Sequence, residues 1–136
     1  MNKLEQRMKL ADEAVELIGE FRAEAGIVGH NALREVNIKG EGKIIEIEDD
    51  FYGVIEYSLT DISSVFSSEM RGWGPCPAGF YEAIEDELKN LESDFKKYSK
   101  EEFKEYAGSL KYAEIRCEEI YKRLEKIERE AALLDD

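Results

Sequence analysis

The sequence predicts an α+β domain over residues 1–136: an N-terminal helix, a small antiparallel β-meander, and a C-terminal helical hairpin whose last helix is long. Three observations carry this. Apolar residues recur every three or four positions over 1–25. They alternate with polar residues between about 34 and 59. They then return to the helical period over 80–134, after a segment crowded with glycine and proline.

The first helix is read from Leu4, Met8, Ala11, Val15 and Ile18, with Leu10, Ala14, Leu17 and Phe21 widening the stripe. Such a face is broader than a coiled-coil seam and is expected to lie on a core, with Gly26 as the stop. Residues 26–31 read as a connection. Val36 and Ile38 then alternate with Asn37 and Lys39, and Gly40-Glu41-Gly42 make a turn. Ile45 and Ile47 alternate with Glu46 and Glu48, Asp49-Asp50 make a second turn, and Phe51 to Leu59 supply a third strand. One sheet face is expected to be aliphatic and aromatic, the other to turn Glu46, Glu48 and Glu56 toward water. Thr60 to Met70 fits either a short helix, through Ile62, Val65 and Phe66, or a fourth strand. Residues 71–79 hold three glycines and two prolines and must form a kinked loop.

The hairpin's first helix follows the stripe Phe80, Ile84, Leu88, Leu91, Phe95 and Tyr98. Ser99, with Glu102 three residues on, reads as a capping box opening the last helix. Its stripe runs Phe103, Ala107, Leu110, Ala113, Cys117, Ile120, Leu124, Ile127, Ala131 and Leu134, with Gly108-Ser109 as a possible kink. At ~1.5 Å per residue such a helix approaches about 50 Å. A seam of that length predicts a second helix along it, and a homo-oligomer, dimer or higher, joined through the C-terminal helix.

Composition bounds the function. The chain is 43% hydrophobic and 38% charged, with a net charge of −13. Residues 41–70 hold eight acids against the single base Lys43. Nucleic-acid affinity comes from Lys and Arg, so direct nucleic-acid binding is not expected. No apolar run reaches the ~20 residues of a membrane span, and Met1 to Gln6 lack a signal-peptide core. Two cysteines in unlike settings, Cys76 and Cys117, read as free thiols of a cytoplasmic protein.

Catalytic signals are sparse. His30 is the one histidine and has no metal-ligand spacing around it, so neither a metal nor another cofactor is expected. Glu82, Glu85 and Asp86 on one helix and Glu114, Glu118 and Glu119 on the next suggest, as an alternative, the facing acidic helices of a magnesium-dependent nucleotide pyrophosphohydrolase. A binding role fits better. Arg71, Trp73, Phe80 and Tyr81 gather before a helix N-terminus, where backbone N–H groups favour an anion. A flat ring, a guanidinium and a helix start suit a nucleotide-like ligand; the same aromatic side chains would also suit a core plug. Arg116 and Arg123, seven residues apart, could reach a phosphate from a neighbouring subunit or pair with Glu119 and Glu130.

With Trp73, Phe80, Asn90 and the long last helix, the chain resembles the phage Thoeris anti-defence sponges, oligomeric proteins that sequester cyclic ADP-ribose-type signals without cleaving them. The resemblance implies base stacking on Phe80 and a polar contact from Asn90. The acidic middle segment is outside what that resemblance implies. It supports a different reading, an acidic inhibitor or nucleic-acid mimic that sets Glu46, Glu48 and Glu56 into a basic groove of a protein partner.

Overall fold

The structure is a computed structural model and describes residues 2–26, 33–49, 53–65, 80–93 and 100–135. Helix α1 spans Lys3–Ala25. Asn2 caps it: its side-chain oxygen accepts from the Glu5 N–H at 2.8 Å, and its amide donates to the Glu5 carboxylate at 3.2 Å. Gly26 ends it as expected, though in right-handed geometry (φ −59°), its N–H reaching back to the Arg22 and Glu24 carbonyls.

The buried line of α1 is Arg7, Ala11, Ala14, Ile18 and Phe21, with Leu17 beside it. That lies one position off the expected centre. Leu4 is exposed, and Met8 and Val15 are only half-buried. Hydropathy alone aims a helix at its most apolar side; here α1 turns slightly further, because the Arg7 Nε–H donates to the Glu41 carbonyl at 3.1 Å.

Strands β1 (Leu33–Lys39), β2 (Ile44–Asp49) and β3 (Gly53–Ser58) form an antiparallel meander with β2 central. Val36, Ile47 and Ile55 share one cross-strand row, and Ile38, Ile45 and Tyr57 the next. These rows face the core. Ile45 and Ile47 are fully buried because only the central strand has neighbours on both sides. The β1–β2 connection carries three successive positive φ values, 59° at Gly40, 58° at Glu41 and 85° at Gly42. Glycine adopts these freely; Glu41 does so against the usual side-chain preference.

After β3 the chain makes a 3-10 turn over Leu59–Asp61 and one helical turn over 63–65. Leu59, Ile62 and Val65, three apart, are all buried. Within the described residues, the helical reading of this segment is therefore the observed one. Residues 66–70 lie outside the description, as do the 71–79 loop and Ser99.

Helix α2 spans Phe80–Ser93 and buries Ile84 and Leu91. Helix α3 spans Lys100–Leu134 without interruption. Gly108-Ser109 does not break it: Gly108 is solvent-facing, and the Ser109 hydroxyl donates to the Glu105 carbonyl one turn back at 3.1 Å. Leu110, Ala113, Cys117, Ile120, Leu124, Ile127 and Ala131 are each 0–1% exposed, the predicted seam. Its neighbours belong to the same chain: α1, the Leu59–Val65 segment and α2. Arg116 pairs with Glu20 and Arg123 with Glu13, so α3 and α1 run antiparallel, in step over two turns. The seam is thus covered within one chain and does not by itself require a second copy. No helix among the described residues is long and apolar enough to cross a membrane.

Candidate functional site

The outward face of the sheet is built by strand alternation. Residues two apart share a face, so placing Val36, Ile38, Ile45, Ile47, Ile55 and Tyr57 inward sends Glu35, Asn37, Lys39, Glu46, Glu48, Val54 and Glu56 outward. The register sets Glu35 directly opposite Glu48 and Glu46 directly opposite Glu56. Like charges in directly opposed positions are unfavourable to the sheet. Among the described side chains the one base on this face is Lys39, diagonal to Glu46, with which it pairs at 2.6 Å. That bond, then the Glu46 charge and the more distant Glu56, raise the Lys39 pKa. Glu35, Glu48 and Glu56 have no ion-pair partner among the described residues. The result is a lattice of carboxylates about 5 Å apart across strands and about 7 Å apart along them, with Val54, 62% exposed, among them.

Arg116 and Arg123 are placed differently from expectation. The Arg116 Nε–H and Nη2–H donate to the two Glu20 oxygens at 2.6 and 2.8 Å. Arg123 clasps Glu13 likewise, through Nε and, at 2.7 Å, Nη2. The anticipated partners Glu119 and Glu130 are secondary, at 3.9 and 3.8 Å. A fork that meets a carboxylate with two parallel bonds is strongly oriented, so a phosphate would have to displace it. A groove of about 640 Å³ lies beside Arg123, walled by Gln6, Lys9, Leu10, Glu13 and Leu133. The clamps were legible only as a coincidence of spacing: Glu13 and Glu20 are seven apart on α1, as Arg116 and Arg123 are on α3.

The two clamps carry a pH signature. The Arg123 and Arg116 bonds hold the Glu13 and Glu20 carboxyls below the ordinary value of 4.5, against the opposing effect of desolvation. Because the folded pKa is depressed, the contribution to stability is fully present above 4.5 and is lost as pH falls through the folded values. Both carboxylates are 37% exposed, so each pair contributes about 1 kcal/mol or less. The expected result is that Glu13→Gln/Glu20→Gln is less stable than the parent at neutral pH, and that the gap closes below pH ~4.5 in urea titrations, where the parent carboxyls become neutral too.

The remaining candidates divide. Arg71 and Trp73 lie outside the described residues, as do the side chains of Phe80 and Tyr81. Helix α2 does open at Phe80, directly after the glycine and proline segment. Asn90 is exposed on α2, away from buried Ile84 and Leu91. His30 and Cys76 are outside the description. Cys117 is fully buried in the α3 seam, and burial, reinforced by Glu24 and Glu20, pushes its thiol up to about 12. It is a packing residue rather than a nucleophile. Among the described residues no three His, Cys, Asp or Glu side chains are grouped to hold a metal ion. Comparison with protein-family models, with curated proteins and with solved structures finds no match to this chain.

Proposed function

We propose that this is a non-catalytic binding protein acting in the cytoplasm, and that its acidic sheet face, Glu35, Glu46, Glu48 and Glu56, occupies a basic groove on a protein partner, as an inhibitor that mimics nucleic acid. The supporting observation is the register: two glutamate pairs stand directly opposed on the outward sheet face, Glu35 and Glu56 exposed, Glu48 half-buried and Glu46 17% exposed beneath Lys39. An arrangement that costs the sheet stability is expected where the field it creates serves association. The test is displacement of duplex DNA from basic nucleases of the kind used in bacterial defence. The full chain competes at about 50 mM salt and loses potency steeply by about 200 mM. The Glu46→Lys/Glu48→Lys/Glu56→Lys variant competes at least about a hundredfold less well, at roughly 1 kcal/mol or more per reversed contact. Equal competition by parent and variant removes the reading.

A second reading keeps the resemblance to the phage anti-defence sponges: sequestration of a cyclic ADP-ribose-like or cyclic oligonucleotide signal by Arg71, Trp73, Phe80, Tyr81 and Asn90. It is favoured by the start of α2 at Phe80, since a helix N-terminus suits a phosphate. Arg116 and Arg123 contribute less to it, being held by Glu20 and Glu13. Thermal shift with cyclic ADP-ribose and cyclic dinucleotides reads it out, because a ligand that binds only the folded chain raises Tm by mass action. Trp73→Ala and Phe80→Ala are expected to abolish the shift while the triple charge reversal leaves it. Self-association belongs to the same proposal. With the seam covered, it would use the opposite face of α3 at Tyr112 and Ile115, 58% and 63% exposed; Ile115→Glu then lowers the mass seen by ultracentrifugation.

A further inference from the structure

Arg7 is the one charged side chain among the described residues that is nine-tenths buried, with 9% of its surface exposed. It stands in the apolar line of α1, where a hydrophobic residue would be expected. Its Nε–H donates to the Glu41 carbonyl at 3.1 Å. A guanidinium has five N–H donors, and the others have no hydrogen-bond or ion-pair partner among the described residues. A buried cation with no counter-charge among the described residues is unfavourable in that setting, and a ligand anion would relieve it.

The surroundings of Arg7 suit such a ligand. It lines a cavity of about 270 Å³ at the end of the sheet, together with Lys43, Ser58, Thr60 and Asp135, over Leu59. Lys43 brings a second positive charge. Ser58 Oγ and Thr60 Oγ1 lie 2.8 Å apart. Whichever hydroxyl donates to the other, one proton of the pair remains to be given outward. Among the described residues Asp135 is the one acid on the wall, and it pairs with neither Arg7 nor Lys43. The walls therefore offer two cations and a hydroxyl donor in a space smaller than the ~300–1,000 Å³ that encloses a whole drug-sized ligand.

We propose that this cavity is a binding site for a phosphate-class oxyanion, either inorganic phosphate or the terminal phosphoryl group of a small monoester. Arg7 is the buried anchor, Lys43 the second charge, and the Ser58–Thr60 pair the neutral donor. Arg fits this role because its planar fork meets two oxygens at once. The turn that meets Arg7 is closely packed: Gly42 lies against Met8, and the left-handed Glu41 presents its carbonyl to the Nε–H, which orients the guanidinium. This site is separate from the acidic sheet face and from residues 71–81, and stands whether or not either of them binds a partner.

The experiment is thermal shift and 31P NMR on the full chain, titrating inorganic phosphate and glycerol phosphate at ionic strength held constant with chloride. The expected result is a saturable rise in Tm with phosphate and none with chloride. A preference for glycerol phosphate identifies a monoester as the ligand; equal binding identifies the free ion. Ser58→Ala/Thr60→Val weakens binding about fivefold, the loss of the hydroxyl donor that either residue alone can still supply. Lys43→Ala weakens it about tenfold or more, the loss of one charged contact. Asp135→Asn tightens it, by removing a carboxylate from the wall. Arg7→Gln abolishes the shift; should that variant fail to fold, Ser58→Ala/Thr60→Val, Lys43→Ala and Asp135→Asn decide the matter from the cavity's rim. Absence of a phosphate-specific shift in the parent, or a shift unchanged in all three rim variants, overturns the proposal.

Discussion

Leu124→Ala is expected to lower the unfolding free energy by about 3 kcal/mol, within the ~2–5 kcal/mol range of such truncations. Leu124 is fully buried in the middle of the α3 seam. The Arg123–Glu13 clamp beside it sets it against the stretch of α1 that carries Ala11 and Ala14. Those side chains have no rotamers to swing into a void, so the cavity stays largely open and the cost should not fall to the lower end of the range. Against a total stability of about 5–15 kcal/mol this is a large fraction. Urea unfolding reads it as a lower midpoint with an unchanged slope. Leu133→Ala, nine residues on but 74% exposed, is the control and should shift stability by no more than about 0.5 kcal/mol.

Gly42→Ala comes next, at about 2–3 kcal/mol, and two separable effects contribute. The backbone there has φ +85°, which costs an L side chain about 1–2 kcal/mol. A Cβ would also meet Met8 Sδ at 2.9 Å and the Met8 Cα and N at 3.3 Å. The thioether can swing aside, but the α1 backbone cannot move without disturbing the helix, which adds an overpacking penalty. Gly53→Ala separates the two effects, because φ there is +77° with nothing near the added carbon; it should cost only the backbone share. Gly108→Ala, in open space on α3, should instead stabilise by about 0.5–1 kcal/mol. Any displacement of the 40–42 turn also moves the carbonyl that orients Arg7, so Gly42→Ala should weaken phosphate binding while Gly53→Ala leaves it intact.

The sequence by itself determined the order of elements, the antiparallel meander and the seam of α3, residue for residue from Leu110 to Ala131. Periodicity suffices there because a strand or a helix must put its apolar side somewhere, and the period names that side. The same logic set Glu46, Glu48 and Glu56 together on one face, since alternation needs no knowledge of what the sheet packs against. What the seam packs against is a different matter. A long apolar stripe says that it must be covered, not by what, and the chain covers it with its own α1 rather than with a second copy.

Only the tertiary structure decided the partners of Arg116 and Arg123, because their acids lie about a hundred residues away in α1 and charge spacing within α3 favours the local pairs with Glu119 and Glu130. It likewise placed Arg7. In the sequence Arg7 is one charge among many near a helix start. In the fold it is held inside, on the Glu41 carbonyl, in a wall completed by Lys43, Ser58 and Thr60. Local propensity fixes which way a side chain points from its own element; what it meets there depends on how distant elements are brought together. The acidic face follows from the first kind of information, and the Arg7 cavity from the second.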